Sequence, residues 1–305
     1  MKIDNFALTM FQACPSKYEL RIQQGWTSRR KSAALGFGGA FHHGLAAWYK
    51  TGSRVEMLKT VNDHWPDGMP VDDYRTKQKC VELLVAYTKQ YPAETFQVVD
   101  GPDGKLIEVS FTLPTGMYLY CPECGPTAGA WTGEIPALCP NCGNALEEIE
   151  YGGIFDGLVE FSGAVYVFEH KTTSQLGASY FDQFRPNNQV TGYTWAAGLL
   201  SGKRVGGALI NAVGVYKSSA PKFERQISMR SEVEIEEWMR SVHATCERIQ
   251  YCKILGYFPL QTVNCTMYGK CEFHSVHSLP HPNQRLGILE QDYVRSEWDY
   301  EGRDD

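Results

Sequence analysis

The feature that most constrains this chain is a pair of strand-like runs separated by Ser162 and Gly163, in the segment GIFDGLVEFSGAVYVFEHKTT. Ser-Gly between β-branched and aromatic residues is typical of a two-residue hairpin turn. With these two residues as the loop, the register places Asp156 directly opposite Glu169. Period-2 alternation also puts Glu169 and Lys171 on one face of the second strand. The hairpin therefore brings two carboxylates and an amine together.

Two directly opposed carboxylates have Cβ atoms about 4.5–5.5 Å apart, which is unfavourable unless a positive charge lies between them. A divalent cation would supply that charge, and carboxylate oxygens, backbone carbonyls and water are the ligands that Mg²⁺ and Mn²⁺ prefer. The sequence thus predicts a Mg²⁺ or Mn²⁺ site at Asp156 and Glu169. The hairpin alone leaves one alternative open, an ordinary amphipathic hairpin whose acidic residues face water.

The rest of the chain alternates between helical and strand-like patterns. Helical periodicity predicts helices at about 39–51, 73–90, 187–200 and 232–255, and strand patterns occupy 96–120 and 151–172. Helices around strand-rich segments indicate an α/β domain. We expect this domain to cover residues 1–285, followed by an acidic C-terminal tail at 286–305 whose last residues fray.

Four of the ten cysteines form a double pair, Cys121-x2-Cys124 and Cys139-x2-Cys142. A long chain without a secretory N-terminal pattern favours metal binding over disulfides. Two such pairs can supply four thiolates to one tetrahedral Zn²⁺, which leaves no open position, so the site should be structural. We predict a zinc ribbon inserted at about 119–146, against the alternative of a disulfide or buried core thiols.

The formal charge of −6 argues against a protein that coats nucleic acid through bulk charge, although it does not exclude local contacts. No run of apolar residues approaches the roughly 18 that a membrane span needs, and the N-terminus lacks a signal-peptide pattern. We therefore expect a cytoplasmic location and no association with a membrane.

Asp156, a short hairpin and then Glu169-His170-Lys171 resemble the D…ExK core of PD-(D/E)XK nucleases, particularly the RecB-like branch that includes CRISPR adaptation nucleases and many phage exonucleases. Other motifs match this branch in chain order, and they are Cys14 in ACPSKYEL, Gly38 and His42 in FGGAFHHGL, and Gln189 with Tyr193 in a Q-x-x-x-Y pattern. The resemblance implies a restriction-endonuclease-like core, with a central mixed sheet flanked by helices.

The resemblance also implies roles for individual residues. The implied catalytic set is Lys171, Asp156, Glu169, Gln189 and Tyr193. The implied ligands of Mg²⁺ or Mn²⁺ are His42, Asp156, Glu169 and the backbone carbonyl of His170. Lys171 would orient or activate the attacking water, and the glutamine and tyrosine would position substrate or the network of the active site.

Cys14, Cys265 and Cys271 resemble the iron-sulfur ligands that many RecB-like nucleases place at the two ends of the nuclease core. His277 stands where that pattern has its last cysteine. Such a Cys3His set could hold a 4Fe-4S cluster with an unusual fourth ligand, or a second zinc. The alternative is that these are free cysteines left from an ancestral cluster.

The function implied by the resemblance is a metal-dependent DNA exonuclease in recombination, repair or phage replication, with DNA as substrate and a recombination or replication protein as a compatible partner. Two rivals stay open. One is a non-catalytic module in which the zinc ribbon binds nucleic acid or protein on a nuclease scaffold, and the other is a sequence-specific endonuclease on the same fold.

Overall fold

A computed structural model of the protein describes residues 1–30, 32–102, 104–125, 137–267 and 269–299. The helices are α1 (Asn5–Ala13), α2 (Pro15–Tyr18), α3 (Ala33–Thr51), α4 (Arg54–Asp63), α5 (Lys77–Gln90), α6 (Asn188–Ser201), α7 (Glu232–Leu255), α8 (His274–His277) and α9 (Pro282–Asp292). The strands are β1 (Lys2–Asp4), β2 (Trp26–Ser28), β3 (Gln97–Val98), β4 (Asp100–Gly101), β5 (Gly104–Lys105), β6 (Ile107–Tyr118), β7 (Glu148–Phe161), β8 (Ala164–Thr173), β9 (Val205–Gly214), β10 (Lys222–Met229) and β11 (Tyr293–Arg295).

The chain folds into two compact units, each built from separate segments of sequence. The described parts of the first unit are 1–30, 112–125, 137–153, 236–267 and 269–299, and those of the second are 32–102, 104–111 and 154–235. The catalytic motifs predicted from the sequence all fall in the second unit. Both predicted cysteine sites fall in the first.

The β7–β8 hairpin forms in the predicted register. Its paired positions run from Phe161 with Ala164 to Gly157 with Phe168. Ser162 and Gly163 both adopt left-handed backbone conformations, with φ of 51° and 77°. Two consecutive positive φ angles give the turn a twist that matches that of the strands, which explains why this short loop sets the register.

The ladder of paired positions ends at Gly157 and Phe168, one position before the two acids, so the direct opposition of Asp156 and Glu169 stays a prediction. The side chain of Asp156 accepts a hydrogen bond from the backbone N–H of His170, with 2.6 Å between N and Oδ2. A carboxylate oxygen thus satisfies the donor that the ladder leaves open at this position.

The sheet of the second unit is mixed. β8 pairs antiparallel with β7 and parallel with β9, β9 pairs antiparallel with β10, and β3 lies antiparallel on β7. One face of β8 carries Phe168, which belongs to an apolar cluster with Phe41 of α3 and Leu84 of α5. The opposite face carries Lys171, which contacts Gln189 of α6. The predicted α/β fold, a central mixed sheet flanked by helices, is confirmed.

The helix predictions hold for the main helices, with differences at their starts. α3 begins at Ala33 and not near 39, because the hydroxyl of Ser32 accepts a hydrogen bond from Leu35 N at the N-cap; it ends at Gly52 with φ of 68°. α7 opens with the predicted capping box, since Ser231 and Glu234 exchange side-chain to backbone hydrogen bonds.

In the first unit, β1 pairs parallel with the start of β7, and β11 pairs antiparallel with β2. The predicted tail boundary at 286 lies inside α9, and Leu289 and Tyr293 are buried with Trp26 and Phe273. This apolar cluster explains why the first part of the predicted tail is folded. Residues 300–305 lie outside the described part of the chain. Across the described residues, no helix has the length and apolar character to cross a membrane.

Candidate active site and metal centres

Asp156 is buried and accepts hydrogen bonds on both carboxylate oxygens. His42 Nδ1 donates to Oδ1 over 3.2 Å, and the backbone N–H of His170 donates to Oδ2 over 2.6 Å. Burial alone would raise the pKa of this carboxyl, but the charge and hydrogen bond of His42 outweigh it and hold the pKa well below its ordinary range. Asp156 is therefore an anion in the folded protein.

His42 reaches Asp156 from α3, where Gly38 lies one helical turn earlier. A Cβ atom at Gly38 would lie 3.3 Å from Oγ1 of Thr172 on β8, so a glycine permits the close approach of the helix to the strand. Burial lowers the pKa of His42, but the carboxylate of Asp156 reverses this and raises it overall. The G-x-x-x-H motif thus has a local explanation in packing and charge.

Glu169, Lys171 and Gln189 form a second group of contacts. Lys171 Nζ donates to Glu169 Oε1 over 2.7 Å and to Gln189 Oε1 over 3.0 Å. Although burial disfavours the ammonium, the carboxylate of Glu169 raises the pKa of Lys171 above its ordinary value. Lys171 is therefore a proton donor and a positive charge at neutral pH, and it has no lone pair with which to accept a proton from water.

Glu169 is buried, and its Oε2 has no hydrogen-bond partner among the described residues. Burial raises the pKa of this carboxyl, and Asp156 adds to the rise, while Lys171 only partly offsets it. An unpartnered buried carboxylate oxygen beside a second carboxylate suits an oxygen-seeking divalent cation. The amphipathic-hairpin alternative does not fit, because both acids are buried and not in water.

The predicted Mg²⁺ or Mn²⁺ ligands are neighbours without forming a compact ligand cage. In the described part of the chain, the donor atoms of His42, Asp156 and Glu169 do not all lie within 4.8 Å of one another. Each carboxylate instead contacts a nitrogen of a basic side chain, Asp156 that of His42 and Glu169 that of Lys171. These oxygen and nitrogen donors suit a divalent cation. Such an ion would compete with His42 for Asp156 and with Lys171 for Glu169.

Tyr193 lies one turn after Gln189 on α6 and is almost wholly buried. Its ring packs against Phe111 and Phe155, with ring centroids 5.8 Å and 6.4 Å away. The Q-x-x-x-Y pair therefore combines a residue that bonds Lys171 with a residue that anchors the helix to the strands.

His170 lies on the strand face opposite Glu169 and Lys171, and its surroundings include polar residues that the sequence did not reveal. Asn211 Nδ2 lies 2.8 Å from His170 Nδ1, and Arg225 Nε donates to Asn211 Oδ1 over 3.0 Å. Burial lowers the pKa of His170 to about 3, so the ring is neutral. The only signal in the sequence is a polar residue in the otherwise apolar strand β9.

Glu108 is a third acid that the sequence analysis missed. Burial, followed by the charge of Asp156, raises the pKa of Glu108 to about 7, while His42 opposes the shift. Its backbone has φ of 54°, in the left-handed region that is uncommon for a residue with a side chain. Such outliers concentrate at functional sites. No motif marks Glu108 in the sequence, because its position depends on the fold of β6.

The four ribbon cysteines are brought together. The sulfurs of Cys121, Cys124, Cys139 and Cys142 all lie within 4.8 Å of one another, the only such group of three or more candidate ligands in the described residues. Gly125 and Gly143 follow the second cysteine of each pair with φ of 71° and 77°.

The knuckle geometry supports thiolate ligands. Backbone N–H groups, those of Cys142 and Asn141, lower the pKa of Cys139 to about 7. Four closely spaced sulfurs, one of them easily ionised, fit a tetrahedral Zn²⁺. Residues 126–136 of the predicted insertion lie outside the described part of the chain.

The segments that carry the terminal cysteines meet within the first unit. Cys14 Sγ accepts a hydrogen bond from Gln261 N over 3.5 Å, and Cys271 N donates to Cys265 O over 2.9 Å. His277 Nε2 lies 3.0 Å from Ser16 Oγ. Within the described residues, however, the donor atoms of these four predicted ligands do not form a compact group.

The sequence matches the family model of the PD-(D/E)XK nuclease superfamily over residues 6–276. Among solved structures, the chain is similar to a protein from Eubacterium rectale that is named as a candidate exonuclease. The two are 11% identical with a TM-score of 0.53, and the match covers 92% of this chain and 90% of that chain. At this identity the similarity is evidence for a shared fold alone. No curated protein matches the sequence.

Proposed function

The chain belongs to the PD-(D/E)XK nuclease superfamily, and we propose that it is a metal-dependent DNA nuclease that acts as an exonuclease. One observation carries this proposal above the others. Asp156 and Glu169 are both buried on the two strands of one hairpin, β7 and β8, and Lys171 is held as an ammonium between Glu169 and Gln189. A scaffold without catalysis would have no need to bury two carboxylates and a lysine in this arrangement.

The residues that would hold Mg²⁺ or Mn²⁺ are Asp156 and Glu169, with His42 and the backbone carbonyl of His170. When bound there, such an ion supplies Lewis-acid polarisation of the phosphodiester and acidifies water. The unpartnered Oε2 of Glu169 supports this assignment, because it is a buried oxygen that nothing in the described chain satisfies.

The side chains of this protein perform the remaining tasks. Lys171 is protonated, so it orients water or a phosphoryl oxygen by donating hydrogen bonds and balances the negative charge that develops on the phosphate. Gln189 accepts from the same ammonium and fixes its direction. His42 keeps Asp156 ionised by compensating its charge.

The resemblance to RecB-like nucleases supports a role in recombination, repair or phage replication, in the cytoplasm, with DNA as substrate and a recombination or replication protein as partner. The ribbon cysteines support one structural Zn²⁺. The finer assignment of Cys14, Cys265, Cys271 and His277 to an iron-sulfur cluster or a second zinc stays a prediction.

The test uses the purified protein with Mn²⁺ or Mg²⁺ and two DNA substrates of one sequence, a closed circle and its linear form. Degradation of linear DNA with the circle intact is the expected result. Cutting of the circle would replace the exonuclease with an endonuclease. Absence of cleavage on both, with DNA binding retained, would favour the non-catalytic module and overturn the proposal.

A further inference from the structure

The buried side chain of Asn211 connects His170 on strand β8 to the guanidinium of Arg225. Asn211 lies on β9, paired in register with His170 on β8. Its Nδ2 lies 2.8 Å from His170 Nδ1, and its Oδ1 accepts from Arg225 Nε over 3.0 Å. Asn211 is fully buried and His170 is only 2% exposed, so these contacts have no competition from water.

The partners of Asn211 determine which way its amide points and where His170 carries its proton. The guanidinium of Arg225 can only donate, so the Asn211 atom that faces it must be the carbonyl oxygen. The amide nitrogen then faces His170 and donates to Nδ1, which must be the unprotonated ring nitrogen. His170 is therefore a neutral imidazole with its proton on Nε2.

Arg225 is itself held rigidly. Both of its terminal nitrogens donate to the carboxylate of Glu94, and one also donates to the hydroxyl of Tyr87 over 2.7 Å. The guanidinium lies 3.6 Å from the ring centroid of Tyr91. A planar guanidinium with a bidentate carboxylate and an aromatic face has little freedom to turn.

One face of the His170 ring is also connected to the carboxylate of Glu94, through Tyr49. The ring of Tyr49 stacks on His170, with centroids 5.8 Å apart and an angle of 15° between the planes. The hydroxyl of Tyr49 donates to Glu94 over 2.6 Å. The imidazole is thus fixed at its edge by Asn211 and at its face by Tyr49, and both contacts end at the Arg225–Glu94 pair.

Fixing this ring fixes the peptide that separates Glu169 from Lys171. The N–H of His170 donates to Asp156, and its carbonyl is the backbone ligand assigned under the proposed function. We propose that Asn211, held by Arg225, is a positioning residue that locks the His170 ring and so orients the backbone through which Asp156, Glu169 and Lys171 keep their places. This role rests on the proposed function, because it concerns the residues assigned there to metal and phosphate.

The first measurement needs no variant. Long-range ¹H–¹⁵N spectra of the histidine rings in the metal-free wild-type protein report which nitrogen of His170 is protonated. The expected result is Nε2–H with an unprotonated Nδ1. A ring protonated at Nδ1 would overturn the proposal directly.

The second measurement compares substitutions of Asn211. Asn211→Leu keeps the volume and removes both hydrogen bonds, so Mn²⁺ affinity by calorimetry and kcat should each fall about 10- to 100-fold, with KM for DNA unchanged. Asn211→Asp keeps an oxygen toward Arg225 and can accept a hydrogen bond from His170 Nδ1 once the neutral ring carries its proton on that nitrogen, so the ring stays anchored. This conservative variant should retain both quantities within a few-fold.

Arg230→Met is the matched control, because Arg230 is a buried arginine that donates to Thr191, Ser228 and Phe184 and not to the His170 network. It should lose stability without losing Mn²⁺ affinity. An active wild type in which Asn211→Leu keeps wild-type Mn²⁺ affinity and kcat would overturn the positioning role alone. A wild type that neither binds Mn²⁺ nor cuts DNA would overturn the proposed function, and this role with it.

Discussion

Burial raises the pKa of Asp156 and of Glu169 alike, but the groups around each carboxylate make the net shifts differ. Asp156 accepts hydrogen bonds from His42 and from a backbone N–H, and its pKa lies below its ordinary range. Glu169 has Lys171 on one oxygen and nothing described on the other, and its pKa is raised. The folded state therefore stabilises the ionised form of Asp156 and destabilises that of Glu169.

Neutralising the two acids should consequently change stability in opposite directions. In EDTA at neutral pH, Asp156→Asn should lower the free energy of unfolding by about 1–3 kcal/mol, because charge-assisted hydrogen bonds are lost. Glu169→Gln should raise it by a few tenths to about 1 kcal/mol. Thermal and denaturant unfolding measure both, and calorimetry should show weaker Mn²⁺ binding in each variant. Unchanged Mn²⁺ affinity in both would show that the carboxylates share no ion.

The pH dependence follows from the same shifts. Because the pKa of Glu169 is raised, its penalty is absent at acid pH and grows as pH rises toward the shifted pKa, so the advantage of Glu169→Gln should vanish on acidification. Because the pKa of Asp156 is lowered, its contribution is present above the ordinary pKa and is lost as pH falls. The deficit of Asp156→Asn should therefore also shrink in acid.

Lys171 is assigned to chemistry and not to the core. Lys171→Ala should reduce kcat by about 10²-fold or more, as for the loss of a residue that stabilises transition-state charge, while DNA binding and the folded state are retained. Lys217→Ala is the control, because Lys217 pairs with Asp73 on the surface. A folded Lys171→Ala enzyme with near-normal cleavage would defeat the assignment.

At the scale of elements, the site depends on how closely α3 approaches β8. The helix is continuous from Ala33 to Thr51, and Gly38 is the position where it faces Thr172. His42 follows one turn later and reaches Asp156. The spacing of the motif therefore reflects one close contact and one hydrogen bond on the same face of the helix.

A pair of glycine substitutions tests this contact. Alanine favours a helix interior over glycine by about 1 kcal/mol. Gly287→Ala on α9 meets open space and should stabilise the protein by about this amount. At Gly38 the new Cβ would lie 3.3 Å from Thr172 Oγ1, so Gly38→Ala should lose most of the gain and lower nuclease activity. Equal stabilisation by both substitutions, with full activity in both, would show that the approach of α3 is not tight.

At the scale of the whole molecule, the candidate nuclease residues and the candidate metal-binding cysteines lie in different units. The carboxylates and Lys171 belong to the second unit, while both cysteine sets belong to the first. Among the described residues, the four sulfurs of the predicted ribbon form a compact group and the donor atoms of the terminal cysteines and His277 do not. A zinc in the predicted ribbon closes only a short loop, so its loss should destabilise the protein locally. A metal shared by Cys14 and Cys265 would close a loop of about 250 residues, so its loss should destabilise the protein more widely.

Metal analysis of protein purified without oxygen separates the alternatives at the terminal cysteines. The ribbon should hold one zinc per chain, which Cys139→Ser should release. If His277 is a ligand of a second site, His277→Cys should retain the additional metal, and Cys265→Ser should lose it together with several degrees of melting temperature. Protein with a single zinc, no iron and no response to Cys265→Ser would show that the terminal cysteines bind nothing.

Local patterns in the sequence determined the hairpin register, the C-terminal end of α3, the start of α7, and the candidate residues of the site. Each of these depends on neighbours within a few residues, as with Ser162 and Gly163 in the turn or Ser231 and Glu234 in the cap. Periodicity and turn chemistry act over that same short range, so these turns and helix ends could be predicted without tertiary information. The family motifs, found in the expected order along the chain, then indicated which residues belong to the candidate site.

Only the tertiary structure decided which donors and charges surround the buried carboxylates. Asp156 accepts hydrogen bonds from a histidine of α3 and from a backbone N–H of β8, which no local pattern places beside it. Asn211 and Glu108 acquire their roles from strands far away in sequence, where no spacing rule applies. The energy of a buried charge depends on which donors surround it in space, and those donors come from segments that only the complete fold brings together.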